Sequence, residues 1–480
     1  MIKRRQVLEG IAATAAAARS NLYPKESYAS PALPSLPRLN EDEALLLIPG
    51  DSQYERCEIA YNRRTLQRPA LRALCKTATA VSAMVEWVRE HNLSFALRSG
   101  GHSFEGFSQS SSVVIDTRMM NDVEFDDRSR VVAIGAGASL GSIYQALASA
   151  AQTIPAGTCP TVAISGHALG GGFGLLARAM GLSCDNLAAI ELVDTDAHIR
   201  QINFETVPDL MWACQGGGGG SFGAVTRLHL RTHSIARVAV FGLSWRLPAV
   251  RAGALMRVWQ AWAPHAPSAV TGFFRISKAV DKTFNLRCAG QSTGSQVELL
   301  RELRPLMDVE SPDEISVESM SLMGAVNHFS GGWGYESSYS KGKSAFISSP
   351  LSETAVSDLF EALAQTLPGT PTIVCDAYGG AIADVAPSDT AFVHRAGTLY
   401  CMQFHASWPN AAASQSRIDQ VDLVYNALQP YLSGGAYVNY CDLDLADWPK
   451  AYWGSNLARL RKIKAEFDPA NLFQHAQSVR

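Results

Sequence analysis

The chain has 480 residues and a mass of 51.6 kDa, a length that fits about three domains or one large two-lobed enzyme. Hydrophobic residues make up 47% and charged residues 18%, values that exclude a disordered or collagen-like chain. The formal net charge of −3 provides no positive field that would hold nucleic acid or an anionic membrane surface.

Membrane and metal-binding patterns are missing from the sequence. No apolar run reaches the ~20 residues that a membrane span requires. The nine cysteines form no C-x-x-C pair, so their spacing predicts neither a zinc site nor a dithiol redox site. We therefore expect no nucleic-acid partner, no membrane span and no bound metal.

The first thirty residues have the pattern of an export signal. Arg4 and Arg5 precede a short apolar run, and with Leu8 they resemble the twin-arginine type, which exports proteins already folded around a cofactor. The alternative is an alanine-rich N-terminal helix, which Glu9 inside the apolar run favours. The pattern predicts an exported or periplasmic protein if residues 1–30 act as a signal, and a cytoplasmic protein otherwise.

Helical and extended segments alternate from about residue 68 to residue 232. Hydrophobic spacing predicts, in chain order, a helix over 78–91, strands over 93–98, 113–116 and 131–137, a helix over 140–151, and strands over 188–194 and 223–230. From about residue 236, strands over 238–245 and 272–276 are interleaved with helices over 252–262 and 351–367. This order is typical of an α+β protein whose second lobe is an antiparallel sheet covered by helices.

Two glycine-rich loops predict an anion-binding site. In the loop 98–103, Gly100 and Gly101 follow a strand, so backbone N–H groups can converge on an anion beside Arg98. The segment 165–174 has five glycines within nine residues, which lets a planar or phosphorylated group approach closely. Each loop alone could be a tight turn. However, the 57 residues from 128 to 184 contain no Asp or Glu, and an anionic ligand explains that exclusion.

Several motifs, in order along the chain, resemble those of the berberine bridge enzyme-like flavoprotein oxidases. They are Arg-Ser-Gly-Gly-His-Ser (98–103), Gly-Thr-Cys-Pro-Thr-Val (157–162), Ser-Gly-His-Ala-Leu-Gly-Gly-Gly (165–172), Asp-Leu-Met-Trp (209–212) with Gly-Gly-Gly-Ser-Phe-Gly-Ala-Val (218–225), Tyr-Val-Asn-Tyr-Cys-Asp (437–442), and the ending from 452 to 473. The resemblance covers roughly residues 55–478, and the ordered set is more specific than any single motif.

The resemblance implies the fold of the vanillyl-alcohol oxidase superfamily. A PCMH-type FAD-binding domain would span residues 55–235, and residues 437–480 would return to it. Between them, residues 236–436 would form a substrate-binding domain on a large antiparallel sheet flanked by helices. The change of pattern near residue 235 agrees with this order.

The resemblance also implies an FAD that is attached by two covalent bonds. In such members the loop histidine bonds the flavin 8α carbon and a cysteine bonds C6; the matching residues here are His102 and Cys159. Neutral imidazole and thiolate are both nucleophiles able to add to a flavin. The alternatives are a hydrogen-bonded loop histidine and an inert buried thiol, and we interpret Cys184 as structural. The other residues expected to bind FAD are Arg98, Ser99, Gly100, Gly101, Ser103, Thr161, Ser165, Gly166, His167, Gly170, Gly171, Gly172, Val225 and Asn439.

The closing motif carries the predicted base. Oxidation of a C–OH group needs a residue that removes the hydroxyl proton. In carbohydrate oxidases of this family a tyrosine does so, assisted by an aspartate of the substrate sheet, and Tyr440 and Asp376 occupy the matching places. Because a free phenol titrates near ~10, Asp376 helps only by accepting the phenolic proton. The alternative is that Tyr440 packs under the flavin and Asp376 caps a turn.

One face of the strand around residue 400 predicts the substrate contacts. Cys401, Gln403 and His405 alternate along that face, and Gln403 and His405 could orient a polar substrate. Alkaloid-type members have a glutamate base where this chain has Cys401. That difference favours alcohol or sugar oxidation over berberine-bridge chemistry.

The sequence predicts an FAD-dependent oxidase, closest in its active-site pattern to oligosaccharide oxidases. We expect a monomer that transfers hydride from the CH–OH group of a sugar, an oligosaccharide or another alcohol to flavin N5. The electrons would pass to molecular oxygen and give hydrogen peroxide. Two alternatives stay open: oxidative tailoring of a secondary metabolite or amine, and a flavin-binding protein without turnover.

Overall fold

Three sheets, a two-stranded ribbon and peripheral helices make up the fold, in a computed structural model that describes residues 33–57, 60–331, 334 and 337–480. The predicted export signal in residues 1–30 lies outside the described residues. Among the described residues, no helix is long and apolar enough to cross a membrane. The chain from Pro34 to Arg480 forms one compact unit. The α+β class that the sequence predicts is confirmed.

The first sheet has four short strands in the order β1-β2-β4-β3. They are β1 (Ala44–Leu47), β2 (Leu71–Cys75), β3 (Phe95–Arg98) and β4 (Val113–Asp116). β2, β3 and β4 run parallel, and β2 and β4 are buried along their whole length, as expected of parallel strands covered on both faces. The loop 98–103 therefore leaves the carboxyl end of a buried sheet.

The second sheet is antiparallel, with the order β5-β6-β10-β8-β9, and a two-stranded ribbon lies apart from it. The strands are β5 (Val123–Asp126), β6 (Val131–Gly135), β7 (Gln152–Thr153), β8 (Leu187–Val193), β9 (Ile199–Ile202), β10 (Ala224–Arg231) and β11 (His233–Ser234). β7 and β11 form the ribbon. Val132, Ile190 and Leu228 of the sheet belong to one large hydrophobic core with α-helical neighbours.

The third sheet has seven strands, all paired antiparallel, in the order β15-β12-β14-β13-β17-β18-β16. They are β12 (Arg237–Leu247), β13 (Val270–Lys278), β14 (Phe284–Ser292), β15 (Glu314–Ser321), β16 (Tyr339–Ile347), β17 (Thr372–Ala377) and β18 (Tyr400–Trp408). The large antiparallel sheet that the sequence predicts is thereby confirmed.

The helices connect the strands and cover the sheets. They are α1 (Tyr54–Cys57), α2 (Ala78–Glu90), α3 (Leu140–Ala148), α4 (Ile164–Leu169), α5 (Ala177–Met180), α6 (Pro208–Cys214), α7 (Ala249–Trp262), α8 (Gln296–Glu302), α9 (Arg304–Val309), α10 (Leu322–Phe329), α11 (Glu353–Ala364), α12 (Ala381–Asp384), α13 (Ser414–Leu428), α14 (Trp448–Trp453) and α15 (Leu457–Phe467). The four helices that hydrophobic spacing predicts are confirmed as α2, α3, α7 and α11. α11 begins later than predicted because Ser352 caps it, accepting from the Ala355 N–H.

The two faces of the third sheet differ in chemistry. On β18, Met402 and Phe404 pack into a core with α7, α11 and α13, whereas Gln403 and His405 point to the opposite side. The same period of two on β17 buries Cys375 and leaves Asp376 on the open face. The helices thus cover one face, and the other face is left to form the wall of a cavity.

Candidate active site

A cavity of about 720 Å³ is lined both by glycine-rich loops and by the open face of the third sheet. The loop residues lie in the segments 98–104, 157–159, 165–167 and 217–221, and the closing segment 437–441 adds to the wall. The sheet contributes Phe273, Arg275, Thr372, Val374, Asp376, Gln403 and His405. Most of the predicted cofactor-binding and catalytic residues therefore meet at one cavity.

The path of the loop 98–103 depends on its two glycines. A Cβ on Gly100 would lie 2.6 Å from the backbone nitrogen of Ala163. A Cβ on Gly101, whose φ is +70°, would overlap the Arg98 guanidinium. Arg98 is itself buried and pairs with Asp116 at the end of β4, with 3.4 Å between Nε and Oδ2. Only residues without a side chain let the loop turn so tightly around this arginine.

One hydroxyl group lies between the two predicted attachment residues. Thr161 Oγ1 is 3.1 Å from His102 Nε2 and 3.5 Å from Cys159 Sγ. The His102 ring also stacks on Tyr61, with 4.5 Å between the ring centroids. Burial lowers the pKa of His102 to about 4, with a smaller contribution from the charge of Arg98, although a hydrogen bond with the Thr161 backbone raises it. The imidazole is therefore neutral at pH 7. Thr161 holds both side chains without lining the cavity.

Other glycines leave the cavity wall free of side chains. A Cβ on Gly166 would meet no atom within 4 Å, and Cβ atoms on Gly219 and Gly220 would meet none closer than 3.6 Å. All three residues line the cavity, so side chains there would take up its space. Asp376 is the one acidic residue among the described residues of the wall, so little negative charge opposes a phosphate. The wall fits a large, anionic dinucleotide such as FAD.

The remaining cofactor-binding predictions include residues that brace the loops. Ser165 donates a hydrogen bond from its hydroxyl to Ser99 Oγ over 2.9 Å. His167 Nε2 accepts from the Gly157 N–H over 3.1 Å, and burial lowers the pKa of His167 to about 4. These residues and Val225 all line the cavity.

Besides Thr161, three further predicted cofactor residues do not line the cavity. The sequence assigns Gly170, Gly171 and Gly172 to FAD, but a Cβ on Gly170 would overlap the Asn439 side chain. The Gly172 N–H donates to the Tyr437 hydroxyl over 2.9 Å, and Asn439 Nδ2 donates to the same oxygen over 3.0 Å. These glycines therefore let the closing segment pack closely against α4, and they position the wall instead of forming it.

Tyr440 and Asp376 both face the cavity. Burial raises the pKa of Asp376 to about 7, although the charge of Arg275 and a hydrogen bond from Tyr440 lower it. Burial and the Asp376 carboxylate raise the pKa of the Tyr440 phenol well above its usual value. Asp376 keeps some exposed surface, which it presents on the cavity wall. The two groups can therefore share a proton away from bulk water.

An aromatic wall that sequence reasoning missed completes this part of the site. The Phe104 ring lies parallel to the Tyr440 ring, with 5.7 Å between centroids and an interplanar angle of 3°. It also contacts the His405 ring, 5.9 Å away between centroids. Phe104 directly follows the predicted loop 98–103, and that position is the signal that could have identified it.

Two of the three predicted substrate residues line the cavity, and the third does not. Gln403 and His405 are on the wall, and burial lowers the pKa of His405 to about 4, so its ring is neutral at pH 7. Cys401 is on the same strand face but is fully buried, in the core that contains Phe346 and Tyr378. The structure therefore places Cys401 in the core and not on the cavity wall.

A buried ionic cluster fixes the loops on either side of the site. Lys341 Nζ lies 3.0 Å from Glu105 and 2.5 Å from Asp442, and Lys343 Nζ lies 3.0 Å from Asp442 and 3.1 Å from Asp444. Glu105 follows the predicted FAD loop, and Asp442 is the last residue of the closing motif. The cluster therefore ties β16 to both segments.

Lys341→Met should destabilise the protein strongly. The substitution leaves the carboxylates of Glu105 and Asp442 buried with one cation fewer, and we expect the free energy of unfolding to fall by about 3–5 kcal/mol. Arg257→Met is the matched control, because its pair with Glu353 is exposed, and it should cost less than about 1 kcal/mol. Urea unfolding curves of the two variants measure the difference, and equal curves would contradict the cluster's role.

Comparisons with known protein families agree with these features. The FAD binding domain family matches residues 69–203, and the berberine and berberine-like family matches residues 436–480. The uncharacterized FAD-linked oxidoreductase YgaK of Bacillus subtilis is 32% identical over 435 residues, which cover 89% of this chain and 95% of YgaK.

Solved structures show the same architecture. Physcomitrella patens BBE-like 1 matches with a TM-score of 0.85 and 28% identity, covering 92% of this chain and 97% of that chain. A Phl p 4 variant, a glucose oxidase, matches with a TM-score of 0.82 and 25% identity, covering 91% of this chain and 96% of that chain. With 32% identity to YgaK over most of both sequences, the chain belongs to the berberine bridge enzyme-like family of FAD-linked oxidoreductases.

Proposed function

We propose that the protein oxidises the CH–OH group of a sugar, an oligosaccharide or another alcohol, and that molecular oxygen receives the electrons and becomes hydrogen peroxide. When bound, FAD supplies the hydride acceptor. The observation that carries the proposal is that Tyr440 and Asp376 lie on the wall of the cavity that also holds His102 and Cys159. A proton acceptor and the hydride acceptor would then serve the same substrate carbon.

The proton of the substrate hydroxyl would leave through Tyr440. Because the pKa of this phenol is raised, the group is protonated at pH 7 and must release its own proton to accept another. The Asp376 carboxyl, with a pKa of about 7, can take that proton. As the substrate proton moves to the Tyr440 oxygen, the phenolic proton moves to Asp376. The carboxylate becomes a neutral acid, and no charge is left unpaired on the tyrosine.

We further propose that His102 and Cys159 each hold FAD by one covalent bond, through the 8α carbon and C6. The shared contact with the Thr161 hydroxyl supports this, because it keeps the imidazole and the thiol side by side. The neutral state of His102 supports it too, since only an unprotonated ring nitrogen is a nucleophile. The backbone N–H groups of the loop 98–103 would bind the pyrophosphate.

Two features of the wall support an alcohol or sugar as the substrate. Gln403 and neutral His405 offer hydrogen bonds to hydroxyl groups. Phe104 offers an aromatic face to the C–H bonds of a ring. The related Phl p 4 variant is a glucose oxidase, which fits the same substrate class.

Anaerobic reduction of the purified protein tests the proposed reaction. Under nitrogen, glucose, cellobiose and 4-hydroxybenzyl alcohol are added in turn while the visible flavin absorbance is followed. We expect at least one alcohol to bleach the flavin, and air then to restore the colour with one hydrogen peroxide per flavin. Bleaching by amines but by no alcohol would contradict the proposal and favour oxidative tailoring.

Turnover should fall as the pH drops below about 7. Protonated Asp376 cannot accept the phenolic proton, so kcat/KM should decrease about tenfold per pH unit on the acid side. The Asp376→Asn variant should turn over slowly at every pH, and its kcat/KM should not show this decrease on the acid side. Asp389→Asn, which changes an exposed carboxylate, should keep the wild-type profile. An unchanged acid limb in Asp376→Asn would assign the titration to another group.

A further inference from the structure

An arginine that the mechanism does not use lies on the cavity wall. Arg275 is on β13, on the open face of the third sheet, and lines the cavity with Phe273 and Asp376. Across the sheet, Arg275 is paired with Val374 on β17, and Val374 is paired with Gln403 on β18. Arg275 is therefore in the same wall as the groups proposed to bind and deprotonate the substrate.

The charge of Arg275 is not balanced by a salt bridge. Among the described residues its guanidinium has no ion pair and no hydrogen bond, and it lies 6.0 Å from the centroid of the Phe273 ring. Its direct cross-strand neighbour on β14 is Arg287, a second cation. Burial and the charge of Arg287 lower the pKa of Arg275, and Asp376 raises it. Like charges directly opposite in a sheet are destabilising, so this pair costs the fold some stability, although solvent screens part of the repulsion because both residues are exposed.

A bound anion would remove that cost. The planar guanidinium offers two parallel N–H donors, the geometry that suits a carboxylate. Phe273 can hold the guanidinium in place by a cation–π contact. Arg275 is the one arginine that the described part of the third sheet contributes to the cavity wall, since Arg287 does not line it, and Arg98 on the loop 98–103 already pairs with Asp116. One unpaired cation on the sheet matches a single negative charge. These features favour a monoanion over a phosphate dianion.

We propose that Arg275 binds a carboxylate group of the substrate, so that the enzyme prefers an alcohol that also carries an acid. The proposal rests on the proposed function, because it names the substrate class of the same site. Uronic acids and carboxylated aromatic alcohols belong to this class. Asp376 and Tyr440 act on the alcohol end, and Arg275 holds the acid end.

A binding experiment that needs no turnover tests the assignment. Benzoate and benzamide have nearly the same shape, differ in charge and cannot be oxidised as alcohols. By isothermal titration calorimetry on the flavin-loaded protein, we expect benzoate to bind about tenfold more tightly than benzamide. Arg275→Gln should abolish this preference, and Arg275→Lys should retain part of it. Arg287→Gln, which removes the neighbouring cation off the cavity wall, should keep it.

Other outcomes would overturn the assignment. Equal affinities for the two probes in the wild type would do so, as would undetectable benzoate binding or an unchanged preference in Arg275→Gln. If Arg275→Gln shifted the acid limb of the pH profile of kcat/KM but left the benzoate preference unchanged, the role of Arg275 would be to adjust the pKa of Asp376 instead. Turnover of D-glucuronate against D-glucuronamide gives a second comparison. Because the calorimetry needs no flavin reduction, a failure of the proposed oxidation would be seen separately.

Discussion

Replacing both His102 and Cys159 with alanine should release all the flavin when the protein is precipitated with acid. Denaturation removes every non-covalent contact, so only covalently attached flavin stays with the pellet. His102→Ala alone should keep the flavin through sulfur, and Cys159→Ala alone should keep it through nitrogen. Absorbance of the pellet and the supernatant measures the distribution.

Cys441 provides the matched control for the thiol. It also lines the cavity, but burial raises its pKa to about 11, so it is a neutral thiol at pH 7 and a poor nucleophile. Cys441→Ala should therefore leave both attachments intact. A yellow pellet from the double variant His102→Ala/Cys159→Ala would contradict the assignment. If the colour then left the pellet when Cys441→Ala was added to the double variant, the sulfur bond would be assigned to Cys441.

Tyr440→Phe should lower kcat by about 10²–10⁴-fold with the flavin still bound, because general-base catalysis typically contributes that factor. The phenyl ring keeps the stacking on Phe104, so the shape of the site is retained. Anaerobic stopped-flow reduction measures the chemical step directly. KM should change less than kcat, since the lost hydroxyl acts on the proton in the transition state.

Tyr378→Phe is the control for loss of a buried phenol. The Tyr378 hydroxyl is buried and has no hydrogen-bond partner among the residues described here, and it does not line the cavity. Its removal should leave flavin reduction at the wild-type rate. If Tyr440→Phe reduced the flavin equally fast, Tyr440 would be a packing residue and the proton acceptor would lie elsewhere.

Local periodicity explains most of what the sequence predicted about the sheet wall. The period of two along β18 predicts that Gln403 and His405 share a face, and both do line the cavity. Periodicity predicts the direction in which a side chain points, but not how far the cavity extends. It therefore assigns Cys401 to the substrate, although Cys401 lies in a core with Phe346 and Tyr378.

Glycine runs are a second case in which a local pattern does not identify the contacting group. A glycine marks a place where something approaches the backbone, but the sequence does not say what approaches. At Gly166 the cavity itself is open, whereas at Gly170 the Asn439 side chain of the closing segment occupies the place that the prediction gave to FAD.

Contacts between distant strands could not be predicted at all. Arg275 on β13 joins the wall because β13 pairs with β17, a strand that comes almost a hundred residues later. The Lys341 cluster likewise depends on β16 lying at the edge of the sheet beside the loop 98–103 and the closing segment. Strand order in a large antiparallel sheet is a property of the whole core, so no short motif reports it.

The ionic cluster has a consequence for biosynthesis. Glu105, Lys341 and Asp442 are made in that order and far apart in the chain. All three must be present before any of them can be buried without leaving an unpaired charge. A ribosome-bound chain that has not yet released its last segment therefore lacks both the closing wall and the partner that stabilises β16. A chain cut before Asp442 would leave Lys341 and Lys343 buried on β16 without the carboxylate that they share, so β16 should dock only after this segment has left the ribosome.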